Sequence, residues 1–273
     1  MPSPSEITVA QLARLAGTPD APALVDLRID EDFADDPRLV SGAFRHAHTD
    51  LPALPPRLAG RRAVVYCQKG RKISQGAAAL LRCEGIACEV LKGGQVAWAA
   101  AGAPMVAAGA LPVPDVSGRT VWVTRHRPKI DRIACPWLIR RFADPAARIL
   151  YVPPQDVELV AEKFGAVPFD VEGLGITHEG DRCSFDAFLA RFGLGDPALD
   201  RVATVVRAAD TNRHDLAPEA AGLLAVSLGL SRMHRDDLAM LEAGMTVYDA
   251  LYRWARDATD EGHDWPASVE RKG

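Results

Sequence analysis

The sequence predicts two domains: an α/β domain built as a parallel sheet with helices on both faces, then a second, mostly helical α+β domain. Three observations carry this. Up to residue 105, short β-branched runs alternate with stretches of helical spacing, the pattern of a parallel sheet covered on both sides. Residues 103–119 are rich in Ala, Pro and Gly and have no period, which reads as a connection between domains. Beyond residue 120 a single clear strand is followed by five helical stretches. The boundaries expected are 1–105 for the first domain, 106–119 for a linker, 120–257 for the second domain and 258–273 for a polar, frayed tail.

The elements follow in order. Residues 8–16 form a short amphipathic helix capped by Thr8. Strands are expected at 21–27, 64–66 and 87–91, and helices at 74–83 and 95–101. The second domain opens with a strand at 120–124. A helix over 128–142 places Ile130, Ile133, Trp137, Leu138 and Phe142 on one side. Ser184 is the expected cap of a helix carrying Phe185, Phe188, Leu189 and Phe192. Asp196 and Pro197 start another, as cap and first-turn proline. Further helices cover 218–228 and 236–255, the last with a bend expected at Gly244.

Composition narrows the function classes. At 273 residues, 48% of them hydrophobic, the chain fills about two domains and buries real cores. A net charge of -4 gives no global pull toward nucleic acid or an anionic membrane. The five cysteines, Cys67, Cys83, Cys88, Cys135 and Cys183, are sparse and odd in number, which argues against a secreted disulfide framework. Glu6 near the start, with no basic or apolar run, argues against a signal peptide, and no apolar stretch approaches membrane-spanning length. A cytoplasmic location is expected. The oligomeric state is not legible.

Residues 64–76 hold the most informative stretch. The β-branched run Val64-Val65-Tyr66 ends in Cys67. The loop Gln68-Lys69-Gly70-Arg71-Lys72-Ile73 follows, and Ser74 with an Ala-Leu run starts a helix. A cysteine between a strand and a helix N-terminus sits where backbone N–H groups converge. Those donors, the helix dipole and the cations Lys69, Arg71 and Lys72 would all favour a thiolate. A buried packing thiol is the alternative for any free cysteine; three cations beside Cys67 favour the reactive reading.

This stretch resembles the rhodanese-like family, and the resemblance extends over roughly residues 7–105. Leu24-Val25-Asp26-Leu27-Arg28 matches the family's strand ending in Asp-x-Arg, and Ser41-Gly42-Ala43 its Gly-Ala turn. Leu91-Lys92-Gly93-Gly94-Gln95-Val96-Ala97-Trp98 matches its last strand, double glycine and helix tryptophan. The resemblance implies sulfur transfer with no cofactor: Cys67 takes the outer sulfur of a small anionic donor such as thiosulfate, and a thiol acceptor removes it. Asp26 and Arg28 would support the loop from a strand end. Two spacings depart from relatives. Ser74 lies seven residues after Cys67, where the common sulfurtransferase pattern has a capping Ser or Thr at six. Phosphatases and arsenate reductases of this fold carry an arginine at six to clamp an oxyanion, and here that residue is Ile73. Sulfur transfer is therefore preferred over phosphoryl or arsenyl chemistry.

The second domain resembles the C-terminal domain of the ChrB chromate-resistance proteins. Trp122-Val123-Thr124-Arg125, the run from Pro128 to Phe142, Thr177 to Asp186, Arg207-Ala208-Ala209-Asp210-Thr211 and Ala217 to Leu223 carry it. The family is associated with chromate resistance, and some members regulate the efflux operon. Those regulators have a DNA-binding segment ahead of this domain. Here a rhodanese-like segment takes that place, which argues against a nucleic-acid partner.

Two further groupings stand out. Arg125, His126, Arg127, Lys129, Arg132, Arg140 and Arg141 crowd seventeen residues, either as a solvated basic face or as a site for a small oxyanion such as chromate. His178, Asp181 and Asp210 are candidate ligands for a divalent metal, with Asp131 a further candidate. No Cys-x-x-Cys or His-Glu-x-x-His spacing supports them, and turn and cap roles would explain the acids equally well. Cys83 and Cys88 read as packing thiols. The leading function is thus a rhodanese-type sulfurtransferase in a chromate-resistance or oxidative-stress setting. A chromate- or redox-responsive sensor and a metal-dependent enzyme in the second domain are the alternatives.

Overall fold

The computed structural model describes residues 5–58 and 60–262. In chain order the first part contains β1 (Glu6–Ile7), α1 (Val9–Leu15), β2 (Ala23–Asp26), α2 (Asp30–Asp35), β3 (Arg38–Val40), β4 (Ala43–Arg45) and α3 (Pro55–Leu58). Next come β5 (Ala63–Tyr66), α4 (Lys72–Cys83), β6 (Cys88–Leu91), α5 (Gly94–Ala100) and β7 (Met105–Ala107). Five strands form a wholly parallel sheet in the order β1-β6-β5-β2-β4. Every residue of β2 and β5 is buried, as required of central strands covered on both faces. The strand period of two sorts them: Leu24 and Val64 pack with Leu12 of α1 and Trp98 of α5. Val25 and Val65 pack on the opposite face with Leu58 of α3 and Ala77, Ala78 and Leu81 of α4.

The second part contains β8 (Val121–Arg125), α6 (Asp131–Leu138), β9 (Arg148–Val152), α7 (Val157–Phe164) and β10 (Val167–Pro168). Then follow α8 (Ser184–Phe192), α9 (Pro197–Asp210), α10 (Glu219–Met233) and α11 (Asp237–Asp257). It is helix-rich with a small sheet, whose three strands are parallel in the order β10-β8-β9. One face of that sheet joins Trp122, Ile149 and Phe169 to an aromatic core of Trp137, Phe142, Phe185, Phe188, Phe192 and Tyr252. The other face is covered by α7 through Val123 and Val157.

Several expectations need correction. The stretch expected as a linker over 106–119 begins inside a strand: β7 pairs antiparallel with β3. Alternation along β7 puts Met105 in the core of the first part and Val106 in that of the second. The helix expected over 128–142 starts at Asp131, because Ile130 has a positive φ of 36° that no helix accommodates. It ends as a wide π turn, Ile139–Ala143, and the amide of Gly42 donates to the Phe142 carbonyl at 2.6 Å. Cys183, not Ser184, occupies the cap position of α8. Asp196 caps α9 as expected, its carboxylate accepting from the amides of Ala198 and Leu199. Helix α11 runs unbroken through Gly244, where the missing side chain admits Ile133 of α6. Of the polar tail at 258–273, residues 263–273 lie outside the described residues.

Candidate functional site

Cys67 follows β5 at the carboxyl edge of the large sheet and is only 5% exposed. Its Sγ lies 3.2 Å from Ser74 Oγ. Helix α4 begins at Lys72 with Arg71 at the cap position, so Ser74 is not the cap expected from sequence. It sits one turn in, on the buried face, where its hydroxyl reaches back to Cys67 and to the Arg71 carbonyl. Burial, the largest single influence, pushes the Cys67 thiol up. The Ser74 hydroxyl and the N–H groups of Ser74, Arg71 and Lys69 together outweigh it, and the net shift is downward. Of the influences expected, the N–H donors are the ones seen to lower it, joined by the Ser74 hydroxyl. Lys69, Arg71 and Lys72 are exposed and form no ion pair among the described residues, which leaves an unneutralised cationic rim around the buried sulfur. Gln68 and Ile73 are half-buried.

The loop keeps its shape because α5 starts against it. The amides of Gln95 and Val96 donate to the carbonyls of Cys67 and Gln68 at 3.1 Å each. With those carbonyls turned toward α5, the loop's N–H groups are left facing the sulfur. The approach is so close that a side chain on Gly70 would collide with the Leu91 carbonyl, and one on Gly94 with the Cys67 carbonyl. Both glycines also have positive φ, so only glycine meets both demands.

Asp26 and Arg28 form a fully buried ion pair at 2.6 Å. The remaining Arg28 donors go to the carbonyls of Asp36 and Arg38, at 2.8 and 2.7 Å. The pair thus anchors the segment entering β3, and among the described residues it has no direct hydrogen bond to residues 67–73. The loop's link to that segment is Gln95, whose side-chain amide donates to Asp36 at 2.6 Å.

A second constellation lies beyond the carboxyl edge of the small sheet, where α/β sheets carry ligands. His178 Nε2 is 3.2 Å from Asp210 Oδ2, 3.5 Å from Asp170 Oδ1 and 3.6 Å from Asp131 Oδ2. Asp131 is the first residue of α6, Asp170 follows β10 by two residues and Asp210 is the last of α9. Asp181 does not join them. The amide–carbonyl pair between Glu179 and Arg182 closes a tight turn, which leaves Asp181 exposed at its tip. Asp170 takes its place, a residue the sequence does not single out because it carries no local motif.

Each acid is held by its surroundings. Asp131 is 1% exposed; its Oδ2 accepts from the amides of Ser184 and Phe185 at 2.6 and 3.3 Å, at the start of α8. Asp170 Oδ1 accepts from Ser184 Oγ at 2.9 Å, and its Oδ2 meets Arg125 Nη2 at 3.1 Å and Arg132 Nε at 3.3 Å. Burial, then the neighbouring carboxylates Asp210 and Asp170, push the Asp131 carboxyl well above its usual range. Burial and Asp170 raise Asp210 as well. The basic run at 125–141 is divided among acidic partners: Arg125 and Arg132 go to Asp170, Arg140 to Glu242 and Arg141 to Asp249. Burial likewise raises the buried thiols of the other cysteines: Cys88 to about 11, with Cys135 and Cys183 also pushed up. Cys83 is exposed.

The parallel sheet and the Cys67 loop define residues 8–101 as a rhodanese-like domain, and the family model of that description matches those residues. A second family model, ChrB, C-terminal domain, matches residues 122–255. The chain thus joins a rhodanese-like domain to a ChrB C-terminal domain. A curated relative, Protein ChrB of Cupriavidus metallidurans, is 40% identical over 156 residues, 55% of this chain and 46% of that protein. The chain therefore spans about half the length of the relative. Solved structures resemble it too. A Rhodopseudomonas palustris protein described as a possible tyrosine phosphatase is 26% identical, with a TM-score of 0.34, over 37% of this chain and 83% of that one. Thiosulfate sulfurtransferase from Pseudomonas aeruginosa is 27% identical, with a TM-score of 0.32, over 38% of this chain and 19% of that one. Among the described residues no helix is long and apolar enough to cross a membrane.

Proposed function

We propose that the chain is a sulfurtransferase that carries sulfane sulfur as a persulfide on Cys67, in a chromate-resistance or oxidative-stress setting. The observation that carries this is the Cys67 sulfur, buried at a loop whose N–H groups and Ser74 hydroxyl favour its thiolate. The thiolate attacks the outer sulfur of thiosulfate. A Cys67 S–S bond forms as the donor's S–S bond breaks, and sulfite leaves with the bonding pair. An acceptor thiolate then attacks the outer sulfur of the persulfide, takes it, and returns Cys67 as thiolate. Loop donors hold the anionic persulfide between the two steps, and the rim of Lys69, Arg71 and Lys72 attracts the anionic donor. Ile73, where related phosphatases have an arginine, leaves no bidentate clamp for a phosphoryl group. The setting is supported by the ChrB C-terminal domain match and the ChrB relative.

The test is sulfur transfer from thiosulfate to cyanide, with p-nitrophenyl phosphate hydrolysis alongside. Wild type should form thiocyanate and leave the phosphate ester intact. Cys67→Ser should lose at least about a thousandfold in rate while keeping its fold. Thiocyanate formation by the serine variant at the wild-type rate would sink the mechanism.

A further inference from the structure

Four side chains of the second domain, from four separate chain segments, bring three carboxylates and an imidazole together. We propose that Asp131, Asp170, His178 and Asp210 bind one divalent first-row transition cation of the manganese or iron(II) type. The site is separate from the sulfur chemistry proposed for Cys67 and does not depend on it.

The distances suit such an ion. Donor atoms of Asp131, Asp170 and His178 lie within 4.8 Å of one another, and Asp210 Oδ2 is 3.2 Å from His178 Nε2. At metal–ligand distances of about 2.1 Å, adjacent donors of an octahedral site stand about 3.0 Å apart and opposite ones about 4.2 Å. Asp131, Asp170 and His178 therefore need to contract to close on a metal, and Asp210 meets the group on the side of His178.

The charges point the same way. Asp131 and Asp210 form no ion pair with Lys or Arg among the described residues; their ionic neighbour is His178. Arg125 and Arg132 both pair with the outer oxygen of Asp170 and leave its Oδ1 on the side of His178. Ser184 Oγ–H holds that same Oδ1, the kind of outer hydrogen bond that orients a metal-binding carboxylate.

An independent observation concerns Asp131. Its Oδ2 is satisfied by the start of α8, but its Oδ1 is buried and, among the described residues, meets no N–H or O–H donor, the weakly donating Cys183 thiol being its polar neighbour. A carboxylate oxygen orphaned in the interior is costly unless a cation completes it. His178, 39% exposed, lies on the open side of the cluster and gives an ion a way in. Three hard oxygens and one imidazole suit manganese or iron(II) better than calcium, which prefers oxygen alone.

The experiment is a calorimetric titration of the full chain with manganese(II) chloride after chelator treatment, with calcium chloride in parallel. One manganese ion should bind per chain, at least tenfold more tightly than calcium. Asp210→Asn and His178→Ala should each weaken manganese binding at least tenfold, whereas Asp181→Asn, a change at the exposed turn, should leave it unaltered. Manganese should raise the thermal midpoint of wild type but not of His178→Ala, whose partly exposed site keeps that variant's fold testable. Absence of saturable manganese binding, equal affinity for calcium, or wild-type affinity in both ligand variants would overturn the assignment.

Discussion

Ser74 Oγ and Cys67 Sγ lie 3.2 Å apart across the first turn of α4, and both atoms belong to buried residues. That contact is the largest of the influences that lower the Cys67 thiol against its burial. The active form is the thiolate, so the rate rises with pH through the thiol's pKa and then levels. A lowered pKa puts that rise below the usual thiol range. Removing the hydroxyl in Ser74→Ala favours the neutral thiol, so the rise moves to higher pH. The iodoacetamide alkylation rate against pH reads this directly. An unchanged profile would show that the loop N–H groups suffice alone.

Gly94 bears on the same loop from the opposite side. Ala at this position would take a positive φ, here 62°, and would collide with the Cys67 carbonyl. The Gly70 nitrogen and the Gln68 carbonyl lie close as well, and all three neighbours are backbone, so none yields cheaply. Gly94→Ala should lose about 1–3 kcal/mol of stability and most sulfur transfer. Gly76→Ala is the internal comparison: Gly76 lies in α4 with open space around it, and the change should stabilise by up to about 1 kcal/mol. Thermal melts of the two variants should move in opposite directions.

The Cys67 loop was legible because its parts are local: a strand, a glycine, cations and a helix start within a dozen residues. Only the helix start was placed late: the helix begins at Lys72, two residues ahead of Ser74, which makes Ser74 a buried face residue against Cys67. The acidic site is the reverse case. Asp210 and His178 were legible as polar ends of elements, but Asp170 joins them only because β10 pairs beside β8 and brings Arg125 against it. Nothing near Asp170 in sequence announces that pairing. Asp181 misled because it is close to α8 in sequence, while a turn closed between Glu179 and Arg182 carries it away into solvent. The supposed linker hid a strand for a simpler reason: Met105–Ala107 is three residues long, too short to show a period.

The cationic rim gives a prediction of donor selectivity. Arg71 and Lys72 are exposed and carry no acidic partner among the described residues, so their effect on an incoming anion is long-ranged and screened by salt. Arg71→Ala with Lys72→Ala should lower kcat/KM for thiosulfate severalfold and leave an uncharged organic persulfide donor nearly unaffected. Adding salt should shrink the difference between wild type and variant. Equal losses with both donors would mean that the loop itself had been disturbed.

Gly244 and Ile133 test how tightly α11 is set against α6. A Cβ on Gly244 would lie 2.6 Å from Ile133 Cγ2, and Ile133 is itself 2% exposed and branched at Cβ, which limits how that methyl can move away. Ala is the better helix former by up to about 1 kcal/mol, but overpacking a filled core costs about 1–3 kcal/mol. Gly244→Ala should therefore destabilise by about 1 kcal/mol or more. Ile133→Ala alone should cost about 2–5 kcal/mol by opening a cavity. In that background the Cγ2 atom is gone, and Gly244→Ala should become neutral or stabilising. A double-mutant cycle in urea, with its coupling energy of opposite sign to the single Gly244→Ala loss, would establish the contact. Additive effects would mean that α11 shifts away from α6 freely and that Ile133 does not set the spacing between the two helices.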